Sequence, residues 1–206
     1  MLYYNTVDPA TLDLLKKLQK ADEFKKMRLA GGTSLALQYG HRKSIDLDLF
    51  GQLEISSGEL IDVLKNVGQV QVIKDSKHIH TFSINGVKTD IVEYSYPWID
   101  QSIQEDDLVL ASEIDIAAMK LNAVSGRGTK KDFIDVYFLL KRMSLASMIQ
   151  HFERKYDDGS AYLVLRSLTY FEDAEQDLDP VMLVPCKWNE VKRVISAAVN
   201  EYVKEG

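Results

Sequence analysis

The sequence predicts an α+β fold, with an N-terminal mixed sheet flanked by helices and a C-terminal helical lobe. Helix and strand patterns alternate up to Pro97, the Asn85-Gly86 pair is a strong hairpin signal, and mainly helical patterns follow. We therefore expect a sheet lobe over residues 1–98 and a helical lobe over residues 99–206.

The composition is that of an ordinary globular protein. Of the 206 residues, 46% are apolar and 27% are charged, and the single cysteine, Cys186, excludes an internal disulfide. No apolar run approaches the about 20 residues of a membrane helix, and the first residues lack a signal-peptide pattern. We expect a soluble, cytoplasmic protein with no membrane partner. The net charge of −6 argues against a surface that attracts nucleic acid everywhere.

The first elements follow from their boundary residues. Pro9 after an aspartate is typical of a helix start, and residues 27–30 are typical of a short strand. Thr33 or Ser34 is expected to cap the next helix, and Gly40 to end it.

The next segment, Ile45 to Phe50, alternates apolar and acidic residues. This period predicts a strand with Ile45, Leu47 and Leu49 toward the core and with Asp46 and Asp48 on the opposite face. Two carboxylates on one face suit a hard divalent ion, which takes oxygen ligands from carboxylates and substrate phosphates.

The rest of the sheet lobe ends in a hairpin. Ser56 and Glu59 form a capping-box signature, a strand is expected over 70–73, and hairpin arms are expected over 80–84 and 87–94. Asp90 lies in the second arm and is the natural third carboxylate, for a metal ion or as a general base. The alternative is a solvent-facing residue of an edge strand.

The turn from Gly31 to Ser34 is the second half of the predicted site. Gly31, Gly32, Thr33 and Ser34 place small residues and backbone N–H groups at a helix start, where phosphate binds readily. Either signal alone is weak, since glycine pairs mostly serve turns and alternating aspartates mostly serve amphipathic strands. Their order and proximity favour nucleotidyl transfer.

The helical lobe adds charged candidates. Capping patterns begin helices at Ser112 and Thr129, and further helices are expected around 145–154, 162–174 and 188–203. The expected phosphate-binding and site residues are Lys120, Arg127, Lys131, Asp132 and Asp135. Solvated surface charges are the alternative for the cations, and helix capping explains Asp132 by itself. Asp135 lies in an apolar run, so it needs a cationic partner, for which Lys131 and Arg127 are candidates.

In these motifs the chain resembles the AbiEii family of abortive-infection nucleotidyltransferase toxins, a branch of the polymerase-β-like nucleotidyltransferase superfamily. The resemblance lies in residues 29–36, 46–50, 120–127, 131–137 and 179–183. It implies a nucleotidyltransferase-type sheet lobe and a helical lobe that completes the active-site cleft.

The resemblance also implies roles. Ser34, Asp46 and Asp48 would form the nucleotide and metal site, Lys120 and Arg127 would handle phosphates, and Asp132 or Asp135 would be a further acid. Related toxins use an NTP, some of them modify the acceptor end of tRNA, and they are paired with an antitoxin. We thus expect Mg²⁺, with Mn²⁺ as a substitute, at Asp46, Asp48 and Asp90. The alternatives are a small-molecule or protein acceptor, or a nucleotide-binding module without turnover.

Overall fold

The computed structural model describes residues 1–126 and 128–205, and it confirms the predicted α+β class. The chain divides into two compact units and passes from one to the other three times. The first unit holds residues 1–95 and 101–111, and the second holds residues 96–100 and the chain from residue 112 onward. None of the helices in the described ranges has the length and apolar character that crossing a membrane requires.

The first unit is built on one mixed sheet. The described residues give it seven strands in the order β3-β4-β5-β2-β1-β7-β6. The strands are β1 Met27–Leu29, β2 Leu47–Gly51, β3 Val70–Asp75, β4 Ile79–Ile84, β5 Val87–Glu93, β6 Ile103–Glu105 and β7 Leu108–Leu110. Its helices are α1 Pro9–Lys20, α2 Gly31–Tyr39 and α3 Ser57–Lys65, with 3-10 turns at Tyr4–Thr6 and Asp22–Phe24.

Strands β2 and β5 are neighbours near the middle of the sheet and run parallel, and one face of both strands packs into the core. Leu47, Leu49 and Ile91 are fully buried on the core face. Asp48 and Asp90 alternate with them and are only partly buried. The strand period thus places acidic side chains on the face away from the core.

Several sequence predictions for this unit are confirmed. Pro9 begins α1, Gly40 ends α2 in the left-handed conformation with φ of 68°, and Ser56 and Glu59 form a complete capping box on α3. The hairpin turn of β4 and β5 has positive φ at Asn85 and Gly86, as the Asn-Gly signal predicts.

Other local predictions are wrong. Helix α2 begins at Gly31 with Ala30 as its N-cap, so neither Thr33 nor Ser34 caps it. Ile45 is 61% exposed rather than in the core, and Asp46 precedes strand β2 instead of lying within it. The pattern before Leu47 therefore belongs to an extended lead-in, to which the strand period does not apply.

The hairpin of β6 and β7 is missing from the sequence prediction, which expected strands to end before Trp98. Each strand has three residues, and the turn places Asp106 and Asp107 at positive φ without the glycine that marks such turns. The helix expected over 162–174 is also wrong, because it divides into two helices around Thr169.

The second unit is helical. Its helices are α4 Glu113–Gly126, α5 Lys130–Leu140, α6 Leu145–Lys155, α7 Ala161–Leu168, α8 Glu172–Glu175 and α9 Trp188–Glu205. Apolar side chains from five of them are fully buried, among them Leu121, Phe133, Met148, Val164 and Ile195. Helices α4 and α5 carry four of the charged residues that the sequence singles out, Lys120, Lys131, Asp132 and Asp135.

Candidate active site

The geometry of the first unit brings Asp48 onto the start of helix α2. Gly31 has φ of +64°, and a Cβ at this position would lie 3.0 Å from Cγ of Asp48 and closer still to its Oδ2. Only glycine allows this approach and this backbone conformation without strain. Because the first N–H groups of a helix lack intrahelical partners, Asp48 lies where a helix start attracts negative charge.

The start of α2 has no side-chain cap among the described residues. The first hydrogen bond of the helix runs from the Ser34 N–H to the Ala30 carbonyl. The N–H groups of Gly31, Gly32 and Thr33 precede this bond, so they have no acceptor within the helix. Such a group of N–H donors can bind phosphate oxygens. The expected phosphate-binding turn is therefore the first turn of the helix itself.

The side chains of Thr33 and Ser34 form hydrogen bonds within the first unit. The Thr33 hydroxyl contacts the Asp46 carbonyl and lies 2.8 Å from the Ser44 hydroxyl. The Ser34 hydroxyl is fully buried and accepts a hydrogen bond of 3.1 Å from Gln38 Nε2. In this arrangement, the Thr33 bond anchors the backbone of Asp46 to helix α2.

Asp90 lies directly opposite Asp48 on the neighbouring strand. The two are Cα partners in the parallel register of β2 and β5. Because β5 lies between β4 and β2, the interpretation of Asp90 as an edge residue is wrong. Its Oδ1 is buried and has no hydrogen-bond partner among the described residues, which is unusual for a carboxylate oxygen.

The second oxygen of Asp90 is held by Lys88. Lys88 Nζ lies 2.8 Å from Asp90 Oδ2, with the two side chains on the same face of β5. Burial lowers the pKa of Lys88, but the hydrogen bond to Asp90 and the charges of Asp90, Asp46 and Asp48 raise it, and the net result is a raised pKa. All three carboxylates thus act on one lysine.

We define the carboxylate cluster as Asp46, Asp48 and Asp90 together with Lys88. No three His, Cys, Asp or Glu side chains of residues 1–126 and 128–205 form a ready metal cage. Mg²⁺, however, is usually bound by one or two carboxylates together with substrate phosphates and waters. The buried, unpartnered Oδ1 of Asp90 and its register with Asp48 fit such an ion.

The second unit contains a different charged group, the Lys120 cluster, formed by Lys120, Asp132 and Asp135. Lys120 Nζ lies 2.9 Å from Asp132 Oδ1 and 2.6 Å from Asp135 Oδ2. The three side chains are 8%, 4% and 0% exposed. Asp132 also accepts a bond from the Thr129 hydroxyl. Thr129 is the N-cap of α5 but makes no side-chain cap hydrogen bond among the described residues, so the predicted capping pair is wrong in its bonding.

The sequence predicted Lys131 or Arg127 as the partner of Asp135. The described partner is Lys120, whereas Lys131 is exposed and Arg127 lies outside the described residues. The spacing from Lys120 to Asp135 crosses a helix break, so no helix period links them. The neighbouring Lys130, which the sequence reasoning did not use, is buried and bonds the Asp177 carbonyl at 2.7 Å.

Lys88 is the residue of the carboxylate cluster that the sequence reasoning missed. The signal was present, because residues two apart on a strand share a face and Lys88 precedes Asp90 by two. What the sequence did not contain was the register that brings Asp48 beside this pair.

Comparison with known proteins supplies the family context. The model of the AbiEii nucleotidyl transferase toxin family, from type IV toxin–antitoxin systems, matches residues 13–109. An uncharacterized protein of Aquifex aeolicus, aq_aa25, is 33% identical over 186 residues, which cover 85% of this chain and 87% of the relative.

Solved structures share the fold. MenT4, a nucleotidyltransferase toxin of Mycobacterium tuberculosis, aligns with a TM-score of 0.64 at 17% identity over 93% of this chain and 82% of its own. JHP933 of Helicobacter pylori aligns with a TM-score of 0.59 at 19% identity over 97% and 94%. The antibiotic-resistance factor ANT(2'')-Ia aligns with a TM-score of 0.53 at 15% identity over 69% and 89%.

Proposed function

Because this chain belongs to the AbiEii family of nucleotidyl transferase toxins, we propose that it moves a nucleotide from an NTP to an acceptor hydroxyl with a divalent ion. The observation that supports this most is the position of Asp48. Its carboxylate lies against Gly31 at the start of α2 and in register with Asp90. This arrangement supports the proposal because it brings carboxylates next to a helix start, the kind of position that binds phosphate readily.

Asp46, Asp48 and Asp90 are the proposed ligands of Mg²⁺, for which Mn²⁺ is a substitute. A bound divalent ion would offset the charge of the NTP phosphates and make the acceptor oxygen a better nucleophile. The protein contributes fixed carboxylate positions. Asp48 is positioned by strand β2 and can approach α2 because residue 31 is glycine, the Thr33 bond anchors the backbone of Asp46, and Lys88 holds the Asp90 carboxylate.

The proposed phosphate contacts are the backbone N–H groups from Gly31 to Ser34. Since the Ser34 hydroxyl is buried on Gln38, we assign the contact to the backbone rather than to this side chain. Lys120, Arg127 and Lys131 are proposed to balance phosphate charge, and Asp132 to hold Lys120 in place. Oriented charges of this kind supply most of the catalysis in phosphoryl transfer.

In the proposed reaction the acceptor oxygen attacks the α-phosphorus of the NTP. The bond from the α-phosphorus to the bridging oxygen breaks, and pyrophosphate leaves with that oxygen. The acceptor proton passes to a carboxylate, for which Asp90 and Asp135 are the two candidates. Asp90 has the unpartnered oxygen, whereas Asp135 is bonded to Lys120.

The proposed acceptor is tRNA, and the proposed setting is a toxin–antitoxin pair in the cytoplasm. MenT4 is described as a nucleotidyltransferase toxin, and the family belongs to type IV toxin–antitoxin systems. A small molecule is the second candidate acceptor, because the net charge of −6 does not favour RNA. The neighbour ANT(2'')-Ia is described as an antibiotic-resistance factor.

The test is a transfer assay with purified protein, Mg²⁺, each α-³²P-labelled NTP in turn and total tRNA. We expect label in RNA with the wild type and none with the Asp46→Ala/Asp48→Ala double variant. Asp13→Ala, at an exposed position of α1, is the matched control and should label RNA like the wild type. Labelling by the double variant would overturn the assignment of the site. Labelling of an aminoglycoside or a protein instead of RNA would select the alternative acceptor.

A further inference from the structure

The carboxylate cluster contains its own cation. Three aspartates carry three negative charges, and the Lys88 ammonium is bonded to one of them at 2.8 Å. Asp46 and Asp48 act electrostatically on the same ammonium. The net charge that remains is −2, which one divalent cation would neutralise.

The two oxygens of Asp90 have different surroundings. Oδ2 is bonded to Lys88, whereas Oδ1 is buried and unpartnered among the described residues. A single carboxylate oxygen is therefore left for a metal ion at this position. The Asp90 side chain is 20% exposed and the Lys88 side chain is 47% exposed, so the pair is accessible to solvent.

Resting on the proposed function, we infer that Lys88 takes the place of a second divalent ion, so that the cluster binds one Mg²⁺ rather than two. Two-metal sites place their ions about 3.5–4 Å apart and need carboxylate oxygens for both. In this chain the ammonium occupies one of those oxygens and repels a second dication. Lys88 is thus a positioning residue, which orients Asp90 and supplies one fixed positive charge.

The ordinary alternative is a surface ion pair between strand neighbours. Such pairs contribute about 0–1 kcal/mol to stability, and this interpretation gives Lys88 no influence on metal binding. The pair of Lys88 and Asp90 differs because its carboxylate has a buried second oxygen without a partner among the described residues and because the charges of two further aspartates act on the same ammonium. The two interpretations predict different numbers of bound metal ions.

The experiment counts Mn²⁺ ions bound to the full chain by isothermal titration and electron paramagnetic resonance. Mn²⁺ is added alone and with the α,β-methylene analogues of ATP, CTP, GTP and UTP, which resist transfer. The variants are Lys88→Met, Lys88→Arg and the control Lys74→Met, whose lysine is exposed on β3. Circular dichroism verifies folding, and Lys88→Gln replaces Lys88→Met if the latter fails to fold.

We expect one Mn²⁺ per chain beyond the Mn²⁺ that the free nucleotide binds, for the wild type, Lys88→Arg and Lys74→Met. Lys88→Met should gain a second ion, with the spectral broadening of two close Mn²⁺ centres. Two ions or none in the wild type, or one ion of unchanged affinity in Lys88→Met, would overturn the inference. Two ions in a wild type that labels an acceptor would leave the proposed function standing. A wild type that binds one ion but transfers no nucleotide to any acceptor would contradict the proposed function alone.

Discussion

Each unit of this protein holds three notable aspartates, and the two sets differ in burial and in partners. In the first unit, Asp46, Asp48 and Asp90 are partly exposed, and Asp90 is bonded to Lys88, whose ammonium is also acted on by the charges of Asp46 and Asp48. In the second, the residues are 0–4% exposed and bond buried lysines: Asp115 with Lys155, and Asp132 and Asp135 with Lys120.

The difference separates two uses of a carboxylate. Asp115 accepts bonds from Lys155 Nζ at 2.7 Å, from the Ser112 hydroxyl at 2.7 Å and from two backbone N–H groups, of Ile99 and Asp100. Its bonding capacity is filled, which is typical of a structural group. Asp90 keeps a buried oxygen without a partner, which is typical of a group that awaits a ligand.

The largest effect should come from breaking the buried pair of the second unit. In Lys155→Met the fully buried carboxylate of Asp115 loses its countercharge, so we expect the free energy of unfolding to fall by about 3–5 kcal/mol. Urea unfolding measures this loss. The exposed Lys187→Met is the control. A loss below about 1 kcal/mol would mean that the pair contributes no more than a surface ion pair, and it would contradict the expected structural role.

Asp48→Asn should separate activity from stability. We expect transfer to fall by about 10²–10³-fold, the scale of losing one electrostatic contact to the transition state. Because Asp48 is partly exposed, the free energy of unfolding should change by less than about 1 kcal/mol. The transfer assay and urea unfolding test both parts, with Asp13→Asn as control. Full activity in this variant would contradict the proposed role of Asp48 in the active site.

Gly31→Ala should act on both properties to a smaller degree. The left-handed backbone costs alanine about 1–2 kcal/mol, and the new Cβ displaces the Asp48 carboxylate. Thermal unfolding and the transfer assay should both report a loss. Gly58→Ala in α3 is the matched control, since a Cβ there meets nothing within 4 Å and alanine is the better helix former. Equal stability losses in the two variants would contradict the proposed close approach.

The smallest effect concerns an exposed carboxylate of the first unit, Glu59. Its pKa is lowered by the Ser56 backbone N–H and then by the Ser56 hydroxyl, which donate to it at 2.9 and 2.7 Å. Because the pKa of Glu59 is lower in the folded state, its ionised carboxylate stabilises the fold at pH values above the ordinary glutamate pKa of 4.5. The stability advantage of the wild type over Glu59→Gln should therefore exist at neutral pH and disappear on acidification through the lowered pKa. Urea unfolding across this range measures it, and a difference independent of pH would contradict the capping role.

Local signals predicted much of the fold. The hairpin at Asn85-Gly86, the capping box of α3 and the end of α2 at Gly40 each depend on residues within one turn of chain. Predictions failed where local signals were weak or misleading. The β6–β7 hairpin lacks a glycine at its turn, and Ile45 continues an apolar alternation that the strand does not follow.

The sequence by itself determined the α+β class, the acidic residues Asp48 and Asp90 of the strands and the glycines that begin α2, because strand period, capping and backbone freedom are properties of short segments. Only the tertiary structure decided which charges meet. The parallel register of β2 and β5 places Asp48 opposite Asp90, and packing within the second unit pairs Lys155 with Asp115 across forty residues. Long-range pairing depends on register and packing, which no periodicity within a single element contains.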